Sequence, residues 1–242
     1  MKIIIIRHAD PDYSIDSITE KGRRERELLT ERMKKENVSA IYCSVFGRAR
    51  DTIQPTAEYF GITPKYCDWL REFEYAKISV PYLDRDKNAW DLLPSFIDKH
   101  PELYSPTEWQ NADFIKNSNV YEDYRNVVDN FDKALEKHGY SKNGKYYKVT
   151  NSNHDTIVFT CHFGLGAVLV SHLFNTSPYT FWQNSFLAPS SVSVFYTEER
   201  EDGIASFRAS ALGDISHLYC GNEEPSFSGR FCECFTDDTR HH

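Results

Sequence analysis

Arg7 and His8 stand directly after the apolar run Ile3 to Ile6, which pairs a potential nucleophile with a cation that keeps its charge at any working pH. A second histidine, His162, follows the apolar run Thr156 to Cys161 in the same way. Two further segments hold equivalent places: Ser44 to Arg48 comes after Ala40 to Cys43, and Leu70-Arg71-Glu72 comes after Pro64 to Cys67. An imidazole can attack an electrophile, a guanidinium offers a planar fork of donors to an anion, and a carboxyl can give or take a proton. Gathered in one place, these groups would hold an anion and do nucleophilic work on it. That requires a fold that brings four distant segments together.

The apolar runs supply such a fold. Four β-branched residues in a row cannot all face water, so Ile3 to Ile6 reads as a parallel strand buried on both faces. The charged segment from Glu20 to Glu36, with Leu28, Leu29 and Met33 at helical spacing, predicts a surface helix capped by Thr19. A strand at Ala40–Cys43, a helix at Gly47–Phe60 and a strand at Pro64–Cys67 complete a β-α-β-α-β series, which implies right-handed crossovers and helices on both faces of a parallel sheet. The pattern breaks at about residues 75–150. There Trp90, Leu92, Leu93 and Phe96, and later Tyr124, Val127, Val128, Phe131 and Leu135, suggest helices, and Gly139 to Gly144 closes the segment with a turn-rich stretch. The core resumes with a strand at Thr156–Cys161 and a helix at Leu165–Phe174. Strands at Ser191–Tyr196 and Ala205–Leu212 follow, and the tail after Gly213 is irregular. The expected fold class is α/β: one domain over residues 1–242, a three-layer α/β/α sandwich with a mostly parallel central sheet and a helical insertion or cap. In such sheets ligands bind outside the carboxyl ends of the strands, where all four segments lie.

A net charge of -8 argues against nucleic acid as a partner, so an anionic ligand would have to be met by a few focused cations such as Arg7. No stretch approaches the length of a membrane span, and the start lacks the apolar core of a signal peptide; a cytoplasmic location without membrane association is expected. Cys43, Cys67 and Cys161 fall at strand ends as buried free thiols. Cys232 and Cys234 form a C-x-C with His241 and His242 nearby but lack a C-x-x-C pair, so no metal is assigned.

The motifs resemble those of the histidine phosphatase superfamily, also called phosphoglycerate-mutase-like, in its phosphatase branch. Arg7-His8-Ala9 is similar to the family's Arg-His-Gly. Ser44-Val45-Phe46-Gly47-Arg48-Ala49-Arg50-Asp51-Thr52 is similar to its Ser-x-Leu-x-Arg-Ala-x-x-Thr, and Thr19-Glu20-Lys21-Gly22 to its Leu-Thr-x-x-Gly helix start. Leu70-Arg71-Glu72 looks like the acidic motif, and Thr160-Cys161-His162-Phe163-Gly164 like Ser-His-Gly. The likeness runs on through Pro189 to Val192 and Gly213 to Leu218, leaving outside it the 75–150 segment and the last twenty or so residues. Both motif glycines are replaced, by Ala9 and Phe163. Asp10-Pro11-Asp12-Tyr13-Ser14 stands where the mutase subgroup has Glu-Ser-x-Trp-Asn, which weakens a mutase reading and puts Ser14 in place of the phosphate-binding Asn.

The resemblance implies a metal-independent phosphohydrolase without a cofactor, acting on a small phosphorylated molecule. In that reading neutral His8 attacks phosphorus to form a phosphohistidine, while Arg7, Arg48, Ser14 and His162 hold the phosphoryl oxygens. Glu72 is the candidate general acid, with Glu74 and Asp10 as competitors. His217 matches the family's terminal Ser-His-Leu and is expected to support the pocket. Arg50, His100, His138, His154 and His172 are expected to be structural or solvated. Phe73, Tyr75, Tyr82, Trp90 and Trp109 belong to the insertion's own core or line the leaving-group pocket. The competing functions are a phosphoglycerate-mutase-type phosphotransferase and an inactive module that only binds phosphorylated ligands.

Overall fold

The isoleucines after Lys2 divide between the two faces of the central sheet. Ile3 and Ile5 enter one core cluster, Ile4 and Ile6 the other, so the first strand, β1 (Lys2–Arg7), is covered on both sides. Each such burial is worth about 1.5–3 kcal/mol. Core packing therefore fixes where Arg7 and His8 emerge. The structure, a computed structural model, describes residues 1–82 and 85–236.

The other strands of the sheet are β2 (Val38–Ser44), β3 (Lys65–Cys67), β4 (Tyr140–Asn143), β5 (Tyr146–Val149), β6 (Thr156–Cys161), β7 (Val192–Glu201) and β8 (Ile204–Asp214), and the spatial order is β3-β2-β6-β1-β7-β8-β5-β4. The four strands that lead into the expected site, β3, β2, β6 and β1, are parallel. From β1 outward through β7, β8, β5 and β4 every pairing is antiparallel. Arg7 pairs with Cys161 at the end of the β1–β6 ladder, so His8 and His162 leave neighbouring strands at the same level.

Helices α1 (Glu20–Met33) and α2 (Gly47–Phe60) cover one face through Leu29, Met33, Ala49, Ile53 and Ala57. On the other face lie α3 (Val120–Glu136) and α4 (Phe163–Leu173), together with the short helical turns of the segment before α3. This is the three-layer α/β/α arrangement. Thr19 caps α1 by accepting from the Gly22 amide at 3.0 Å, as its sequence position suggests. The buried residues of α1 are Gly22, Glu25, Leu29, Thr30 and Met33, which places one carboxyl among uncharged side chains.

The stretch from Gly139 to Gly144, expected as a loop, belongs instead to a hairpin of β4 and β5 that extends the sheet. Gly144 turns it with φ +63°, and the preceding Asn143 makes an Asn-Gly pair, a strong hairpin signal. Tyr140 and Tyr147 anchor its inner face. Among the described residues no helix is long and apolar enough to cross a membrane.

Candidate active site

The backbone of His8 is held from both sides. Its amide donates to the Cys161 carbonyl at 2.9 Å, and its carbonyl accepts from the Ser190 amide at 3.0 Å. Ser190 adopts φ +58°, and its hydroxyl is 3.2 Å from Nε2 of His217. His217 thus supports the loop behind the histidine. Thr52 on α2 holds the next residue: its hydroxyl accepts from the Ala9 amide at 2.9 Å and donates to the Arg48 carbonyl at 2.7 Å.

The side chain of His8 places Nδ1 2.8 Å from the Ala9 carbonyl. A carbonyl only accepts, so Nδ1 carries the proton and Nε2 keeps the lone pair. The His162 ring lies beside it, centroid to centroid 5.0 Å and inclined by 58°. Nε2 of His162 is 2.8 Å from the Ser44 hydroxyl, which itself accepts from the Phe46 amide. The hydroxyl keeps a second lone pair, so it can either donate to Nε2, which leaves Nδ1 of His162 as an N–H donor, or accept from Nε2. That Nδ1 is buried and has no partner among the described residues. Burial, then the neighbouring Arg7 and Arg48, hold His8 well below the ordinary imidazole range. The same is true of His162, where burial acts first and His8, Arg48 and Arg7 follow.

Arg7 and Arg48 are both buried, and each is oriented by partners. Arg7 donates from Nη1 to the Leu187 carbonyl at 2.6 Å and from Nη2 to the Ser228 carbonyl at 3.1 Å, and its plane lies near the rings of Phe163 and Phe186. Arg48 donates from Nη1 to Oδ1 of Asp16 at 2.7 Å and lies over the rings of Phe46 and Tyr13. Asp16 sits in a left-handed turn at φ +48°, and its other oxygen accepts from the Gly47 amide at 2.7 Å. Gly47 is needed there because a Cβ would come within 1.9 Å of the Asp16 carbonyl. Nε of both arginines is buried without a partner among the described residues. Orphaned buried donors of this kind are rare, and a water or an ion is a usual partner for them.

Glu72 reaches the start of α4. Its carboxylate accepts from the amides of Phe73 at 2.7 Å, Leu165 at 3.0 Å and Gly164 at 3.2 Å, and so caps the helix that begins just after His162. Burial raises its proton affinity above the usual carboxylate range, against the three amide bonds and Arg7, which lower it. Gly164 also lies against the cap: a Cβ there would be 2.2 Å from the ring of Trp90, which meets Phe163 edge-on.

The structure therefore brings Arg7, His8, Arg48 and His162 together, with the Glu72 carboxylate at the start of the helix that follows His162. Ser14 stays apart. Its hydroxyl donates to Asp12 at 2.5 Å in an exposed turn, and Tyr13 and Asp16 of the same loop approach Arg48 instead. Asp10 is turned toward α1, accepting from the Thr19 hydroxyl at 2.6 Å and from the Ser226 hydroxyl. Arg50 stacks on Tyr66 away from the cluster. Of the aromatic residues expected in the insertion, Trp90 reaches the site, whereas Trp109 is buried against Tyr124 and Tyr179. Ser44, Asp16 and Ser190 hold site groups; the sequence motifs include Ser44 and Ser190 without giving either a role, and Asp16 belongs to none of them. Ser44 carried a signal, as the last residue of a strand next to that of His162; Asp16 carried none. Among the described residues no cluster of three or more His, Cys, Asp and Glu side chains could hold a metal. His241 and His242 lie outside the described residues.

A sequence model of the histidine phosphatase superfamily (branch 1) matches residues 3–209. A probable phosphatase of Schizosaccharomyces pombe is 24% identical over 231 residues, covering 90% of this chain and 95% of that protein. Among solved structures, the phosphoserine phosphatase of Entamoeba histolytica in complex with 3-phosphoglyceric acid aligns with a TM-score of 0.59 at 13% identity, over 90% of this chain and 98% of the other. A mycobacterial glucosyl-3-phosphoglycerate phosphatase aligns with a TM-score of 0.56 at 18% identity, over 88% and 98%. Identities this low speak to a shared fold.

Proposed function

Since the chain belongs to the histidine phosphatase superfamily, we propose that it hydrolyses phosphomonoesters of small molecules through a phosphohistidine on His8, with no metal required. The observation that carries this reading is the set of buried polar atoms without partners among the described residues, Nε of Arg7, Nε of Arg48 and Nδ1 of His162, beside an uncharged His8. With the His162 proton on Nδ1 these three groups donate to the three non-bridging oxygens of a phosphoryl group, and two guanidiniums supply the charge that a dianion needs.

In the first step Nε2 of His8 attacks phosphorus while the bond to the ester oxygen breaks. The departing oxygen takes its proton from Glu72, whose raised proton affinity suits an acid. In the second step water attacks the phosphohistidine, Glu72 takes a proton from that water, and the P–N bond breaks to release phosphate. His162 donates to the phosphoryl oxygens throughout and needs no change of protonation.

Rapid alkaline quench during turnover of a labelled phosphomonoester tests the mechanism. The label should remain on the protein in alkali, be lost in acid, and be absent from His8→Ala, with EDTA leaving turnover unchanged. Full activity in His8→Ala would sink the mechanism. No turnover of any phosphomonoester between about pH 5 and 8 would instead favour a module that only binds phosphorylated ligands.

A further inference from the structure

The family match ends at residue 209, yet a segment beyond it returns to the site. Ser228 gives its carbonyl to Nη2 of Arg7, and Gly229 follows at φ +83° with no room for a side chain: a Cβ would stand 2.7 Å from that same Nη2. The segment is tied down upstream. Ser226 is buried, its hydroxyl donates to the Asp10 carboxylate, its amide donates to Glu25 at 3.3 Å, and its Oγ accepts from the Ser228 amide at 3.1 Å. Lys21 on α1 adds bonds to the Glu223 carboxylate at 2.8 Å and the Glu224 carbonyl at 2.6 Å.

The two arginines of the site are thus oriented by chemically different means. Arg48 is held by a carboxylate, which offsets its charge. Arg7 is held by two neutral carbonyls, Leu187 on one side and Ser228 on the other, so its direction is fixed without a carboxylate bonded to the guanidinium. With Nη1 and Nη2 each engaged, the guanidinium cannot rotate without losing a bond in a buried place, and its free Nε–H is kept in one direction.

We propose that Glu223–Arg230 is a strap that positions Arg7 for the phosphoryl group, with Ser228 as the contact, Gly229 as the residue that permits it and Ser226 as the anchor. These are positioning residues, acting through Arg7. The proposal rests on the reading of Arg7 as a phosphate ligand given above.

A binding cycle with inorganic phosphate, read by calorimetry and so independent of turnover, tests it. Gly229→Ala and Ser226→Ala should each weaken phosphate about 10-fold, the order of one charge-assisted hydrogen bond. Neither should weaken it further in an Arg7→Ala background. Equal losses with and without Arg7, or no loss in either variant, would overturn the strap, since a segment that only stabilises the fold acts regardless of Arg7. A wild-type protein that binds phosphate but hydrolyses nothing would remove the proposed hydrolysis and leave the strap to be judged by the cycle. Failure of the wild type to bind phosphate would overturn both.

Discussion

The rings of His8 and His162 stand 5.0 Å apart at the ends of two adjacent parallel strands, and neither ring has a carboxylate to favour its charge. Burial disfavours a proton on both, Arg7 and Arg48 add to the effect, and His8 further disfavours one on His162. The nucleophile is consequently neutral without any base to deprotonate it. The Hε1 resonance of His8 should show no titration between about pH 7.5 and 5.5, the range in which a free imidazole takes up its proton. A midpoint near the ordinary imidazole value would contradict the geometry.

In the proposed mechanism Ser44 donates to Nε2 of His162 and so keeps the ring's proton on Nδ1. Ser44→Ala removes the donor to Nε2 and frees the ring to take the other tautomer, whose Nδ1 has nothing to give a phosphoryl oxygen. Loss of one buried hydrogen bond, about 1–3 kcal/mol, corresponds to a fall of about 5- to 160-fold in kcat. The melting temperature and the spectrum of the fold should change little, and Ser44→Thr should recover most of the rate.

Glu72 should matter according to the leaving group. Glu72→Gln keeps an acceptor for the α4 amides but has no proton to give, so hydrolysis of alkyl phosphates should fall by about 10²–10⁴-fold. Hydrolysis of 4-nitrophenyl phosphate, whose phenolate departs without help, should fall far less. In the wild type, kcat should decline on the alkaline side as Glu72 loses its proton, at a pH above the usual carboxylate range; the variant should lack that limb. Equal losses for both leaving groups would remove Glu72 from the role of acid.

Glu25 carries a separate pH signature in stability. Burial, and to a lesser extent the Asp10 carboxylate, raises it from the usual 4.5 to about 7, against the Asp10 and Ser226 amides and Lys21, which lower it. Between those values the folded protein holds a proton that the unfolded chain has released, so this group's contribution falls as pH rises through the window and is level above it. The full span is about 3 kcal/mol. In urea unfolding, the advantage of Glu25→Gln over the wild type should grow by up to that amount between about pH 5 and 8. A constant difference across that range would show that Glu25 is ionised throughout.

Much of the arrangement could be read from local pattern because it follows local physics. A run such as Ile3 to Ile6 has only one comfortable place, and the residues just past it inherit a position at the sheet's carboxyl edge. The parallel strands, α1, α2 and the meeting of Arg7, His8, Arg48 and His162 all follow from that rule. The contacts that orient these groups do not. Asp16 reaches Arg48 through a hairpin turn, Ser190 reaches His8 from across the chain, and nothing within a few residues of either foretells it. Ser14 shows the reverse case: it lies at the right distance along the chain from His8, but a bond to Asp12 turns it outward. Two signals were available and of a kind that pattern alone under-reads: Asn143-Gly144 between tyrosines, and Glu25 on a stripe with Gly22, Leu29 and Met33.

The carbonyls that orient Arg7 come from residues 180 and 221 positions further along the chain. During folding, β1 cannot take its interior place until β6 and β7 exist to flank it, and Arg7 lacks one of its two carbonyl partners until the segment around Ser228 has arrived. Such long-range closure makes for slow folding. It also makes activity a property acquired late in assembly: intermediates with a well-formed parallel sheet would already display both histidines while one of the two arginines still swings free.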